Sequence, residues 1–76
     1  MENGITSEHV RTLRGLSQLT REEFAKKVGV SAVLIAKIEY GDRYITDRTA
    51  HKIREAFGLS SQDIAQLSKF GRKYTV

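Results

Sequence analysis

The side chains in this chain that could do chemistry are few: two histidines, His9 and His51, nine carboxylates and thirteen basic residues, with no cysteine. Without cysteine there are no disulfides, no thiolate zinc sites and no thiol nucleophile. His9 and His51 lie too far apart in sequence to form a helical metal pair, so each reads as an ordinary surface or half-buried imidazole. No nucleophile, base and acid occur together at usable spacing, so neither an enzyme, a metal centre nor a cofactor site is expected. What remains is charge and hydrogen bonding. The net charge of +4 and the isoelectric point near 9.7 permit an anionic partner without demanding one. The last eight residues, KFGRKYTV, carry three of the basic groups and no acidic side chain.

Those groups need elements to position them. Seventy-six residues, 39% of them hydrophobic, fill a single domain spanning the whole chain, 1–76. No apolar run approaches the ~20 residues of a membrane span. The start, MENGITSEH, has neither a basic region nor a hydrophobic stretch, so no signal peptide and a cytoplasmic protein are expected. Caps and helical periodicity predict an all-α bundle of about five short helices. The first begins at Thr6 or Ser7 and runs to about Leu16, with Val10 and Leu13 inward. The second opens at Thr20, where Glu23 completes a capping box, and buries Phe24, Ala25 and Val28. Gly29 ends it in a left-handed turn, and Val30 plugs the corner. Ser31 caps a third helix with Ile35 and Ile38 inward and Leu34 at the edge of the core; Gly41 stops it. Thr46 caps a fourth bearing Ala50, Ile53 and Phe57, ended by Gly58. Ser60 with Asp63 opens a short fifth carrying Ile64 and Leu67, followed by a basic tail over 69–76.

Helices two and three, joined by Val28-Gly29-Val30-Ser31, form a tight helix–turn–helix. Ala25 permits close approach and the glycine four residues later makes the turn. The longer run TREEFAKKVGVS…IAKIEYGDR resembles the phage-repressor (XRE, Cro/CI-like) helix–turn–helix domain, over about residues 10 to 64. That family usually reads Leu-Ser-Gln-Glu-Glu-Leu-Ala-x-x-Leu-Gly-Val-Ser, then Ile-x-x-Ile-Glu-x-Gly. Here the matching residues are Leu19 to Ala25, Gly29-Val30-Ser31, Ile35, Ile38-Glu39 and Gly41, and Val10-Arg11-Thr12-Leu13-Arg14 fits the first helix. The resemblance implies a lambda-repressor-like fold and a structural ion pair between Arg14 and Glu39.

It also implies roles for individual residues. The positions that face base edges would be Ala32, Val33, Ala36 and Lys37. Of these only Lys37 can donate hydrogen bonds, best to guanine O6 and N7, while alanine and valine can only pack on thymine methyl groups. Direct readout is therefore expected to be sparse, with DNA shape, outlying arginines or dimer spacing adding specificity. Backbone contacts would come from Thr20, Arg21, Ser31, Arg43, Tyr44, Thr46 and Arg48. Arg21 stands where the family usually has a glutamine, and it brings a full charge and a forked donor. Glu22 and Asp42 are expected to point away. Ser17-Gln18 replaces a common basic-Gly pair, and Ile45 a frequent proline.

The expected function is a sequence-specific transcriptional regulator of double-stranded DNA, bacterial or phage-encoded. It would act as an operator-binding repressor with the helix around 31–40 in the major groove. One short helix reads few base pairs, so a homodimer is expected, with Ile64, Leu67 and Phe70 as its surface. The alternative is a protein-interaction module, antitoxin-like or coactivator-like, using the same smooth Ala32-Val33-Ala36 face.

Overall fold

Each helix start is set by a side chain that satisfies backbone donors the helix itself leaves open. The computed structural model describes residues 4–74, with side chains over 4–69. Its helices are α1 (Ser7–Ser17), α2 (Arg21–Val28), α3 (Ala32–Glu39), α4 (Asp47–Phe57) and α5 (Ser61–Tyr74). The Thr20 hydroxyl accepts from the Glu23 N–H at 3.1 Å, and the Glu23 carboxylate accepts from the Thr20 N–H at 2.9 Å. Ser31 and Thr46 cap α3 and α4 by accepting from Leu34 and Thr49. Ser60 and Asp63 form a reciprocal pair before α5. Gln18 closes α1 at φ 56°, a left-handed conformation that no other non-glycine residue adopts among the described residues. Here glutamine accepts a turn for which glycine carries no steric penalty.

The described residues contain five helices around one core, and the all-α expectation holds. The radius of gyration is 11.1 Å, against about 11.4 Å for a compact single domain of this length. Val10, Phe24, Ile35, Ile38, Ala50 and Ile53 are fully buried. Phe24 on α2 stacks on Phe57 of α4 with ring centroids 5.2 Å apart. Ile5 and Ile45, both outside the helices, close the edges of this core. α3 packs on α1 and α2, α4 packs on α2, and α5 packs along α1.

Two expectations about the C-terminal part are corrected. The fifth helix is not short: it has 14 residues and runs to Tyr74, so most of the expected basic tail is helical backbone. Leu67, expected to offer apolar surface to a second copy, is buried in this chain's own core. The reason is the docking of α5 along α1, which turns that leucine inward. Ile64, one turn earlier, is half-buried against the same core. The Phe70 side chain lies outside the described residues.

His9 ties α1 to α5. Its Nδ1 accepts from the Thr6 N–H at 3.1 Å, which leaves the ring proton on Nε2 to donate to Ser68 Oγ at 2.6 Å. Ser68 in turn donates to the Ile64 carbonyl. Burial lowers the His9 pKa below its ordinary 6.5, against the opposing charge of Glu8 and the backbone at Gly4. A lowered histidine pKa means that the unfolded chain takes up protons first. This share of stability is whole above 6.5 and shrinks as pH falls below it. The thermal midpoint of the parent is therefore expected to decline as pH falls below 6.5. His9→Gln should remove most of that slope, and an unchanged slope would show that His9 does not titrate against folding.

Candidate nucleic-acid interface

The turn between α2 and α3 is built on Gly29, at φ 91°. The Gly29 and Val30 N–H groups both donate to the Ala25 carbonyl, at 2.8 and 3.0 Å. Ala25 is buried, and its side chain is a single methyl group, which allows α2 and α3 to pack closely. This packing leaves one face of α3 inward, made of Ile35, Ile38 and Glu39.

The opposite face carries Val33, 64% exposed, and Lys37, also exposed. Tyr40, 70% exposed, follows Lys37 by three positions and continues the face, as helical periodicity requires. Ala32 and Ala36 are half-buried, and Ala32 packs against the core. Of the four positions expected to face bases, then, two project fully and two flank them. The family resemblance gives Tyr40 no role, although its spacing from Val33 and Lys37 places it on the same helix face.

α3 ends where Gly41, at φ 81°, lets the Asp42 N–H return to the Lys37 carbonyl at 2.8 Å. Arg43 and Tyr44 in the following turn are exposed, as are Thr46 and Arg48 at the start of α4. The Thr46 hydroxyl is committed twice, accepting from the Thr49 N–H and donating to Thr49 Oγ1. Thr20 and Ser31 are exposed caps whose hydroxyls accept backbone donors and keep their own hydrogen for donation.

Behind this face three arginines converge on Glu39. Arg14 donates from Nε to Oε2 at 2.7 Å and from Nη2 to Oε1 at 3.0 Å, a bidentate pair that ties α1 to α3. Arg14 Nη1 also reaches the Leu19 carbonyl, and Arg11 donates to the Glu39 main-chain carbonyl. Arg21, expected at a phosphate, with pairing to a nearby carboxylate as the other reading, donates from Nε to Glu39 Oε1 at 3.1 Å. Its guanidinium carbon lies 5.2 Å from the centroid of the Tyr40 ring. The Glu39 side chain is 1% exposed, while Arg14 and Arg21 keep 26% and 36% of theirs. Burial pushes the Glu39 carboxyl up, but the hydrogen bonds and charges of Arg14 and Arg21 outweigh it and hold the pKa below 4.5. The bond to Glu39 likewise raises the Arg21 pKa further.

Residues 9–64 match the helix-turn-helix family model. Two relatives carry the name of uncharacterised HTH-type transcriptional regulators. One, from Methanocaldococcus jannaschii, is 43% identical over 51 residues, covering 67% of this chain and 77% of the relative. The other, from Bacillus subtilis, is 29% identical over 69 residues, covering 91% of this chain and all of the relative. No solved structure gives a significant match. Among the described residues no helix is long and apolar enough to cross a membrane.

Proposed function

The chain belongs to the helix-turn-helix family, in its XRE or Cro/CI-like type, and is a non-enzymatic DNA-binding transcriptional regulator; from that premise we propose a cytoplasmic repressor that occupies an operator as a homodimer. α3 lies in the major groove with Val33 and Lys37 toward the bases and Ala32 and Ala36 beside them. Thr20, Arg21, Ser31, Arg43, Tyr44, Thr46 and Arg48 engage the phosphate backbone. Thr46 does so through the N-terminal backbone of α4, because its hydroxyl is already taken. The observation that carries this reading is the outer face of α3, exposed at Val33, Lys37 and Tyr40, with the Arg21 guanidinium against the Tyr40 ring. Two copies read two half-sites about one helical turn apart, which compensates for a helix with a single donor toward the bases.

The exposed Val33, Tyr40 and Tyr44 favour a second reading, a protein-binding surface. Titration of duplex DNA at several salt concentrations separates the two, since phosphate contacts release counterions and protein contacts need not. Arg21→Ala is expected to weaken binding to every sequence and to reduce the salt slope by about one unit. Lys37→Ala should instead relax preference at one base pair, costing roughly 1–3 kcal/mol on the best site selected from random duplexes. Unchanged binding in both variants would place the docking surface elsewhere. Sedimentation of the protein with its selected site tests the stoichiometry; a single copy on a non-palindromic site would exclude the dimer.

A further inference from the structure

Glu39 carries one charge and faces two side-chain guanidiniums, Arg14 and Arg21. Arg14 takes both carboxylate oxygens at 2.7 and 3.0 Å, so its bidentate bond answers most of that charge. Arg21 shares only Oε1, at 3.1 Å. Of the two charges that face the carboxylate, one is therefore left over, and it sits on the more exposed arginine.

That charge is held from two directions. The Nε–H bond to Glu39 lies in the plane of the guanidinium and restrains its inner edge. The Tyr40 ring, 5.2 Å from the guanidinium carbon, restrains its face. The terminal Nη groups stand outside the ion pair. Tyr40 itself is 70% exposed, so it adds little to the core, and its ring is spent on this contact.

We propose that Tyr40 is a positioning residue for DNA binding, whose ring holds the Arg21 guanidinium in place to receive a phosphate. This rests on the DNA-bound reading of the α2–α3 surface. An arginine held this way loses less conformational freedom on binding than one that waves in solvent. Tyr40 thus acts through Arg21, and its effect disappears when Arg21 is gone.

The test is a double-mutant cycle on a short synthetic duplex of arbitrary sequence, since a phosphate contact is independent of the operator. Tyr40→Leu is expected to weaken binding roughly three- to tenfold, while Tyr40→Phe, which keeps the ring, stays within about twofold of the parent. In the Arg21→Ala background, Tyr40→Leu should change affinity by less than about 1.5-fold. Thermal midpoints confirm that the variants are folded, and Tyr40→Gln repeats the cycle if the leucine variant is not. Equal losses in both backgrounds would mean that Tyr40 touches DNA directly, and would overturn the proposal. So would a Tyr40→Phe loss as large as that of Tyr40→Leu, or no loss in either. A parent whose duplex affinity does not fall with salt would instead sink the DNA-bound reading itself.

Discussion

Glu39→Ala is expected to destabilise the domain by about 3 kcal/mol, at the low end of the range for breaking a buried ion pair. The low end applies because the arginines left behind keep 26% and 36% of their side chains exposed and regain water. Alanine removes the acceptor for Arg14 and Arg21 together, along with the side-chain link between α1 and α3, and leaves only the bond from Arg11 to the main-chain carbonyl. In a domain this size the loss corresponds to a thermal midpoint lower by ~12 °C or more. A midpoint within about two degrees of the parent would deny the pair any share in stability. The same carboxylate predicts acid sensitivity. Its pKa is lowered on folding, so its contribution is whole above the ordinary 4.5 and is lost as pH falls through the folded value. Glu39→Ala should therefore flatten the acid limb of the stability profile below pH 4.5.

Phe24→Ala is expected to cost more, about 3–5 kcal/mol. Phe24 is fully buried, and its ring stacks on Phe57 at 5.2 Å, pinning α2 to α4. Alanine leaves a cavity at the centre of a small core, where few neighbours can collapse into it. Total stability for a chain of this length is on the order of 4–11 kcal/mol, so the variant should stand near the edge of unfolding. DNA binding should fall with it, because α2 sets the angle at which α3 is presented. Denaturant titration measures the loss, and a parent-like midpoint would mean that the stacked pair does not organise the core.

These two residues also mark how differently the parts of the molecule could be read. Phe24 falls on an apolar stripe behind a capping box, and both signals act within four residues of chain. The starts of α2, α3, α4 and α5, and the Gly29 turn, were legible for the same reason. The Arg14–Glu39 pair was reached only through resemblance to a family, since the partners stand 25 residues apart. Nothing local announced that Arg21 would join the same carboxylate, or that Tyr40 would lie under it. That arrangement exists only once α1, α2 and α3 are packed.

The C-terminal part divides in the same way. Sequence alone determined where α5 starts, through the Ser60–Asp63 cap, and that Ile64 and Leu67 sit on its apolar side. It did not determine where the helix ends, because no proline or stop signal intervenes and Gly71 is carried within the helix. Nor did it determine what Leu67 covers. An apolar side chain near the end of a chain serves its own core or a second copy equally well by pattern. The packing of α5 along α1 decided for the core, with the His9–Ser68 bond holding the two helices together. Local hydrogen-bond chemistry writes the elements into the sequence. Which faces meet depends on burying apolar area and pairing charge across the whole chain, and only the tertiary structure resolves that competition.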